Sequence, residues 1–233
     1  MNELLLFDVC ITAIAFSISW WLSRRFRSPL TAPTITATTI IVIALLLWQR
    51  PYSAYMQYSH YISDLLGPAT VAFAVPLYRN RQALRDYAAP IFIGTSLGSV
   101  VGVTTGVLFA VLAKLPWRVV LSLAPKSVTT PIAMGVSTVL HGSPELTAVC
   151  VMIAGNTGFF IGPLVLRTFG IQHPVARGLA MGTASHGIGT AKAFSTFGQL
   201  DGAMGSLAIA IGGCVTALTA PLVMQLFNAV LHK

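Results

Sequence analysis

Two lysines and a histidine stand where the surrounding sequence is apolar: Lys126, His186 and Lys192. A charge deep in a membrane segment costs about 2.5–3.5 kcal/mol on insertion scales, so it calls for a partner. No Asp or Glu lies in the stretches 119–140 and 177–195 that hold them. Hydroxyls are gathered there instead: Ser127, Thr129 and Thr130 beside Lys126, and Thr183, Ser185 and Thr190 around His186 and before Lys192. The natural partner for such a set is an anion brought from outside. We therefore expect Lys126, Ser127, Thr129, Thr130, Thr183, Ser185, His186, Thr190 and Lys192 to bind a small carboxylate. The bland readings are snorkelling of the lysines to the interface and a packed, hydrogen-bonded histidine. A protonatable His186 would also couple substrate to proton movement.

Catalysis is not expected. Ser185 and His186 are neighbours, which on a helix point about 100° apart, and no acid orients the histidine. No metal-ligand or phosphate-cradle spacing occurs, so no metal and no cofactor is expected. Cys10, Cys150 and Cys214 match no metal or redox spacing and read as small buried hydrophobes.

If 124–130 is helical, Lys126 lies beside Thr129 and Thr130 at i+3 and i+4. Ser185, Gly189 and Lys192 likewise fall at i, i+4 and i+7. Pro125 and Pro131 bracket the first set, and Gly182, Gly187 and Gly189 punctuate the second. These residues predict broken helices, with an opening near 187–189 whose freed N–H groups add positive potential. Pro68 and Pro76 predict a further interruption at 62–78.

The elements that position these residues belong to a membrane protein. The chain has 233 residues, 55% hydrophobic and 9% charged, with a mean hydropathy of +0.78. A soluble domain would carry roughly a quarter charged residues. We expect an all-α polytopic membrane protein of about seven or eight hydrophobic segments, with two broken or re-entrant helices. One transmembrane domain over 1–233 is expected, with an internal two-fold repeat whose halves are 1–113 and 114–233.

The net charge of +8 is not gathered on a soluble module, so nucleic-acid binding is not expected. Arg24, Arg25 and Arg27 after the first segment, about 4–22, place that loop in the cytoplasm and the N-terminus outside. Glu3 and Asp8 occupy positions where a signal peptide would carry basic residues, so no cleavable signal is expected. A second segment covers about 30–48, and a tyrosine-rich loop about 49–61. Arg79, Arg81 and Arg85 mark a second cytoplasmic loop. The segment 88–112 has Gly94, Gly98, Gly102 and Gly106 at a spacing of four, a stripe for close helix approach. Apolar segments at about 144–168 and 204–231 complete the chain.

Two long motifs carry a resemblance. They are Leu123-Ala124-Pro125-Lys126-Ser127-Val128-Thr129-Thr130-Pro131-Ile132-Ala133-Met134 and the run from Arg177 to Ala191 that contains Gly182-Thr183-Ala184-Ser185-His186-Gly187-Ile188-Gly189. They resemble the LrgB family, which includes bacterial LrgB, CidB and YohK and one half of the plastid glycolate/glycerate translocator. A looser match covers 68–78. The resemblance implies a bacterial inner-membrane protein that works beside a smaller LrgA/CidA-type membrane protein. It also implies either antiholin-like control of murein hydrolase export and lysis, or transport of small monocarboxylates such as pyruvate, glycolate and glycerate. The cationic, hydroxyl-rich segments favour the carrier. The partners expected are the bilayer, a carboxylate anion, the LrgA-type protein and further copies in an oligomer.

Overall fold

A computed structural model describes residues 2–26, 31–65, 67–68, 71, 74–79 and 81–231. Helices and turns make up this structure, with no strand among the described residues. Three helices are long and apolar enough to cross a membrane: Ala88–Leu112, Pro144–Thr168 and Gln199–Ala229. The chain divides into two compact units, Met1–Val71 and Ala72–Lys233.

The first unit packs α1 (Asn2–Arg25) against α2 (Pro33–Leu47) and α3 (Tyr52–Asp64). The tyrosine-rich stretch expected as a loop is thus mostly helix. Its tyrosine spacing puts Tyr55 inward, where its hydroxyl shares a 2.7 Å hydrogen bond with Thr12. Asp8 is fully buried on α1 and accepts from Arg50 at 2.8 Å. A lone carboxylate inside a helix bundle would be costly, and the guanidinium offsets that. The interruption expected at 62–78 falls partly on residues 66, 69, 70, 72 and 73, which lie outside the described residues. Pro68 is described as helical and exposed, and Pro76 lies within α4 (Ala74–Arg79).

In the second unit, α4 and α5 (Arg81–Asp86) lead into α6 (Ala88–Leu112). Then follow α7 (Trp117–Leu123), α8 (Thr130–Val139), α9 (Pro144–Thr168), α10 (Pro174–Thr196) and α11 (Gln199–Leu231). Proline starts several of these helices: Pro131, Pro144 and Pro174 stand in first turns, where a missing N–H leaves no bond unmade. Ser143 caps α9 by accepting from the Leu146 N–H.

Neither α7 nor α8 reaches across a bilayer, at about 10 and 15 Å long. Together they form a re-entrant hairpin. The Thr147 hydroxyl at the start of α9 stands 3.0 Å from the Ser122 carbonyl, near the turn end of α7, and 2.7 Å from the Ser137 hydroxyl, near the far end of α8, so it joins the two limbs. Ser122 also accepts from the Ser143 N–H at 2.8 Å. This polar knot ties both limbs of the hairpin to the start of α9. Thr147→Val should leave the Ser137 hydroxyl unpartnered and lower stability by about 1–3 kcal/mol. An unchanged detergent melting temperature would show that the knot holds nothing.

The helix α10 also doubles back. A straight 23-residue helix would be about 34 Å long. Yet the Arg177 guanidinium lies 4.5 Å from the Phe197 ring, and Arg177 pairs with Asp201 at 2.8 Å. The reversal is at Ser185 (φ −138°, ψ 17°) and His186 (φ 41°, ψ −133°), the non-helical residues within it. The sequence points to an opening near Gly187 and Gly189, and the structure moves it upstream. Both glycines lie in the helical returning limb. A Cβ on Gly189 would strike the Met181 carbonyl and the Ser185 side chain, so this glycine serves close approach of the limbs rather than flexibility. Gly182 likewise lets the backbone of Gly205 on α11 come close.

The second unit therefore repeats one motif. Both α6 and α9 have 25 residues, and each is followed by a hairpin, at 117–139 and 174–196. The two long helices run in opposite directions. Along α6, Gly94 and Gly98 meet Leu179 and Thr183 of the second hairpin, then Gly102 and Gly106 meet Ser127 and Lys126 of the first. Along α9, Thr147 at the first hairpin's base comes first, and Gly162 reaches Met181 of the second last. The hairpins thus enter from opposite ends of α9. With limbs of about 10–16 Å neither hairpin could span a roughly 30 Å hydrocarbon core, and their tips meet against the middle of α6, at Gly98 and Gly102.

Candidate functional site

The tips rest on glycines at matching places. Ser127 of the first hairpin packs on Gly102, and Ser185 of the second packs on Gly158. Gly102 and Gly158 occupy the same position in their two 25-residue helices. A Cβ at Gly158 would overlap the Ser185 hydroxyl, and one at Gly102 would touch the Ser127 hydroxyl at 3.4 Å. The stripe on α6, read from sequence as a face for close helix approach, is thus the seat of both hairpins.

Lys126 lies in the turn at 124–129 between α7 and α8. Its side chain crosses Gly106, and its ammonium donates to the Gly102 carbonyl at 3.1 Å. Among the described residues the ion pairs are Arg50–Asp8 and Arg177–Asp201, so Lys126 has no carboxylate partner there. One carbonyl meets only one of its three donors. A cleft of about 1320 Å³ opens beside it, between α6, α9 and the hairpin tips. Lys126, Ser127, Thr183 and Ser185 line this cleft, which extends to Tyr87 and His173 at its other end. Those two rings stand edge to face at 5.9 Å. The walls between are mostly aliphatic and glycine.

The remaining expected residues stand outside the lining. Because 124–129 is a turn, Lys126 shares no helical face with Thr129 or Thr130. Thr129 precedes the first turn of α8 in an extended conformation, and Thr130 begins the helix. Pro125 sits in the turn and Pro131 in the first turn of α8. His186 is buried, with Nε2 3.1 Å from the Val151 carbonyl on α9. Thr190 is on the returning limb against Gly205, and the Lys192 ammonium lies 4.8 Å over the Phe159 ring. The chain reversal at 185–186 separates these residues from the Ser185 face that a straight helix would give them. Cys10, Cys150 and Cys214 are not the buried hydrophobes expected: Cys10 and Cys214 are exposed in apolar segments, and the half-buried Cys150 lines the cleft.

The LrgB-like family model matches residues 12–226, nearly the whole chain and all of the inverted motif. The chain belongs to the LrgB-like family. Among relatives of this LrgB-like chain, the antiholin-like protein LrgB of Bacillus mycoides (strain KBAB4) is 32% identical over 219 residues, covering 94% of this chain and 95% of that protein. Two proteins of Bacillus subtilis (strain 168), named uncharacterized proteins YxaC and YwbG, are also similar. YxaC is 36% identical over 220 residues, covering 94% of this chain and 95% of its own. YwbG is 38% identical over 202 residues, covering 87% and 89%. No solved structure matches the chain.

Proposed function

We propose that this LrgB-like protein carries small monocarboxylates of the pyruvate, glycolate and glycerate type across a bacterial cytoplasmic membrane, beside an LrgA/CidA-type partner. The observation that carries the proposal is Lys126: an ammonium without a carboxylate partner among the described residues, at a cleft where two opposed re-entrant hairpins meet. Interrupted helices from inverted repeats, meeting at mid-depth, are the usual way that carriers build a site. Ser127, Thr183 and Ser185 supply hydroxyls to the same anion. A single cation in the lining suits one carboxylate rather than two.

The cleft reaches the tips from the end where α6 begins. That end follows Arg79, Arg81 and Arg85, an excess of arginine that supports a cytoplasmic opening. At the opposite end Val103, Val107, Val120, Ala124, Ala220 and Met224 pack into an apolar plug. This asymmetry supports a carrier open on one side. The names of the Bacillus LrgB relatives favour a second reading, antiholin-like control of murein hydrolase export.

Cys150 provides the test. With Cys10 and Cys214, both exposed, replaced by serine, pyruvate should slow labelling of Cys150 by a small anionic thiol reagent severalfold. Reconstituted vesicles should then take up labelled pyruvate or glycolate without leaking large solutes. If no carboxylate protects Cys150, and expression leaks large solutes whether or not Lys126 is present, the antiholin-like reading replaces the carrier.

A further inference from the structure

His186 does not line the cleft, yet its backbone holds the least favourable conformation in the second hairpin. A φ of 41° with ψ of −133° is glycine territory, and a side chain there costs of order 1–3 kcal/mol. Gly187, next in the chain, has open space around it and is helical. The chain thus places its bulkier residue, rather than the adjacent glycine, at the strained position. Such strain persists where surrounding contacts over-determine it, and the contacts are visible. The imidazole is 5% exposed. Its Nε2 stands 3.1 Å from the Val151 carbonyl. Its ring fills the space over Gly155, where a Cβ would come within 2.8 Å of Cε1.

We infer that His186 is a positioning residue: its imidazole pins the tip of the second hairpin to α9 and so holds Thr183 and Ser185 against the cleft. The pin also reaches the first hairpin. Val151 packs with Val128 and Ala133 of that hairpin, one on the tip and one on α8. Both tips are therefore registered on the same turns of α9. His186 touches no substrate in this account, which rests on the proposed carboxylate site for its functional consequence and on geometry alone for its structural one.

The experiment separates the two. Amide hydrogen exchange of the full-length protein in nanodiscs is read by mass spectrometry over 183–190. His186→Gly removes the imidazole but relaxes the backbone, so global stability changes little. Exchange at 183–190 should rise about tenfold, the effect of one lost hydrogen bond to a buried tip. Gly155→Ala, which displaces the ring from the opposite side, should give the same local rise with His186 intact. His186→Asn, which tolerates positive φ and retains a donor, should restore much of the protection. Unchanged exchange at 183–190 in both His186→Gly and Gly155→Ala overturns the inference. A second reading uses Cys150: pyruvate should need about tenfold higher concentration to protect it in His186→Gly, with Asn giving partial rescue. Wild-type protection in His186→Gly also overturns the positioning role. If pyruvate protects Cys150 in no variant, wild type included, the carrier proposal fails while the exchange result still decides whether His186 pins the tip.

Discussion

Lys126→Met should weaken carboxylate binding, and with it uptake, by about 10- to 150-fold while leaving the protein as stable as before, or more so. The two halves of this result come from one fact. The ammonium is held in a largely apolar place with a backbone carbonyl at 3.1 Å and no carboxylate partner among the described residues. Removing a cation so placed relieves a desolvation cost that is only partly offset, and methionine keeps the stem that crosses Gly106. Stability should therefore hold or rise by about 1 kcal/mol. The anion, in contrast, loses its one charged ligand. A charge-assisted hydrogen bond in a site of this kind is worth about 1.5–3 kcal/mol, so affinity should fall roughly 10- to 150-fold. Lys126→Arg should rescue poorly, because the fork is wider than the groove that Gly102 and Gly106 leave. The measurements are a thermal melt in detergent and uptake into vesicles. A destabilised Lys126→Met protein would mean that the lysine is part of the scaffold. Full uptake by a well-folded one would remove it from the site.

Lys126 stands out in the sequence as a local exception. An isolated cation among prolines and threonines breaks the local rule for a membrane segment, and rules are broken where function requires it. Ser127, Thr183 and Ser185, singled out with it, line the same cleft. Thr129, Thr130, Thr190 and Lys192 were placed with them by helical spacing, and that reasoning assumed unbroken helices. Helical register aligns side chains only as far as the helix runs unbroken. Pro125 and Pro131 announced the first break but not its width. The second break was announced by glycines and then taken by His186, because α10 needs its glycines where Gly182 meets Gly205 and Gly189 meets Met181. Close approach and flexibility both call for glycine, and sequence alone does not separate them. The inverted motif was visible only as equal lengths. Helices at 88–112 and 144–168 with hairpins after each leave little residue-by-residue likeness, apart from glycine pairs at 102 and 106 and at 158 and 162. Topology was preserved there while side chains diverged.

Arg177→Ala should be the most destabilising substitution of a charged residue in the second unit. Arg177 Nε donates to Asp201 Oδ1 at 2.8 Å and Nη2 to Oδ2 at 3.4 Å. The carboxylate side chain is 3% exposed and the guanidinium 19%. Deleting the arginine leaves a carboxylate sealed between α10 and α11, where Gly178 brings the two backbones into contact. Loss of one partner of a buried pair costs about 3–5 kcal/mol, and the guanidinium's partial exposure puts this one near the lower figure. The stacking of Arg177 on Phe197 is lost as well. Asp201→Ala should cost less, because the abandoned guanidinium still has the Phe197 ring and some access to water. The double change Arg177→Met with Asp201→Leu should recover most of the stability, since matched apolar groups can replace a buried pair. The ordering of the three variants is the test, read by denaturant titration in detergent with binding measured alongside. This pair closes the base of the second hairpin, where Arg177 in its first turn meets Phe197 just past its end and Asp201 beyond. Arg177→Ala should therefore loosen the limbs from the base, whereas loss of the His186 imidazole should loosen them from the tip. Equal costs for Arg177→Ala and Asp201→Ala would mean that the carboxylate finds water on its own and that the hairpin base is open.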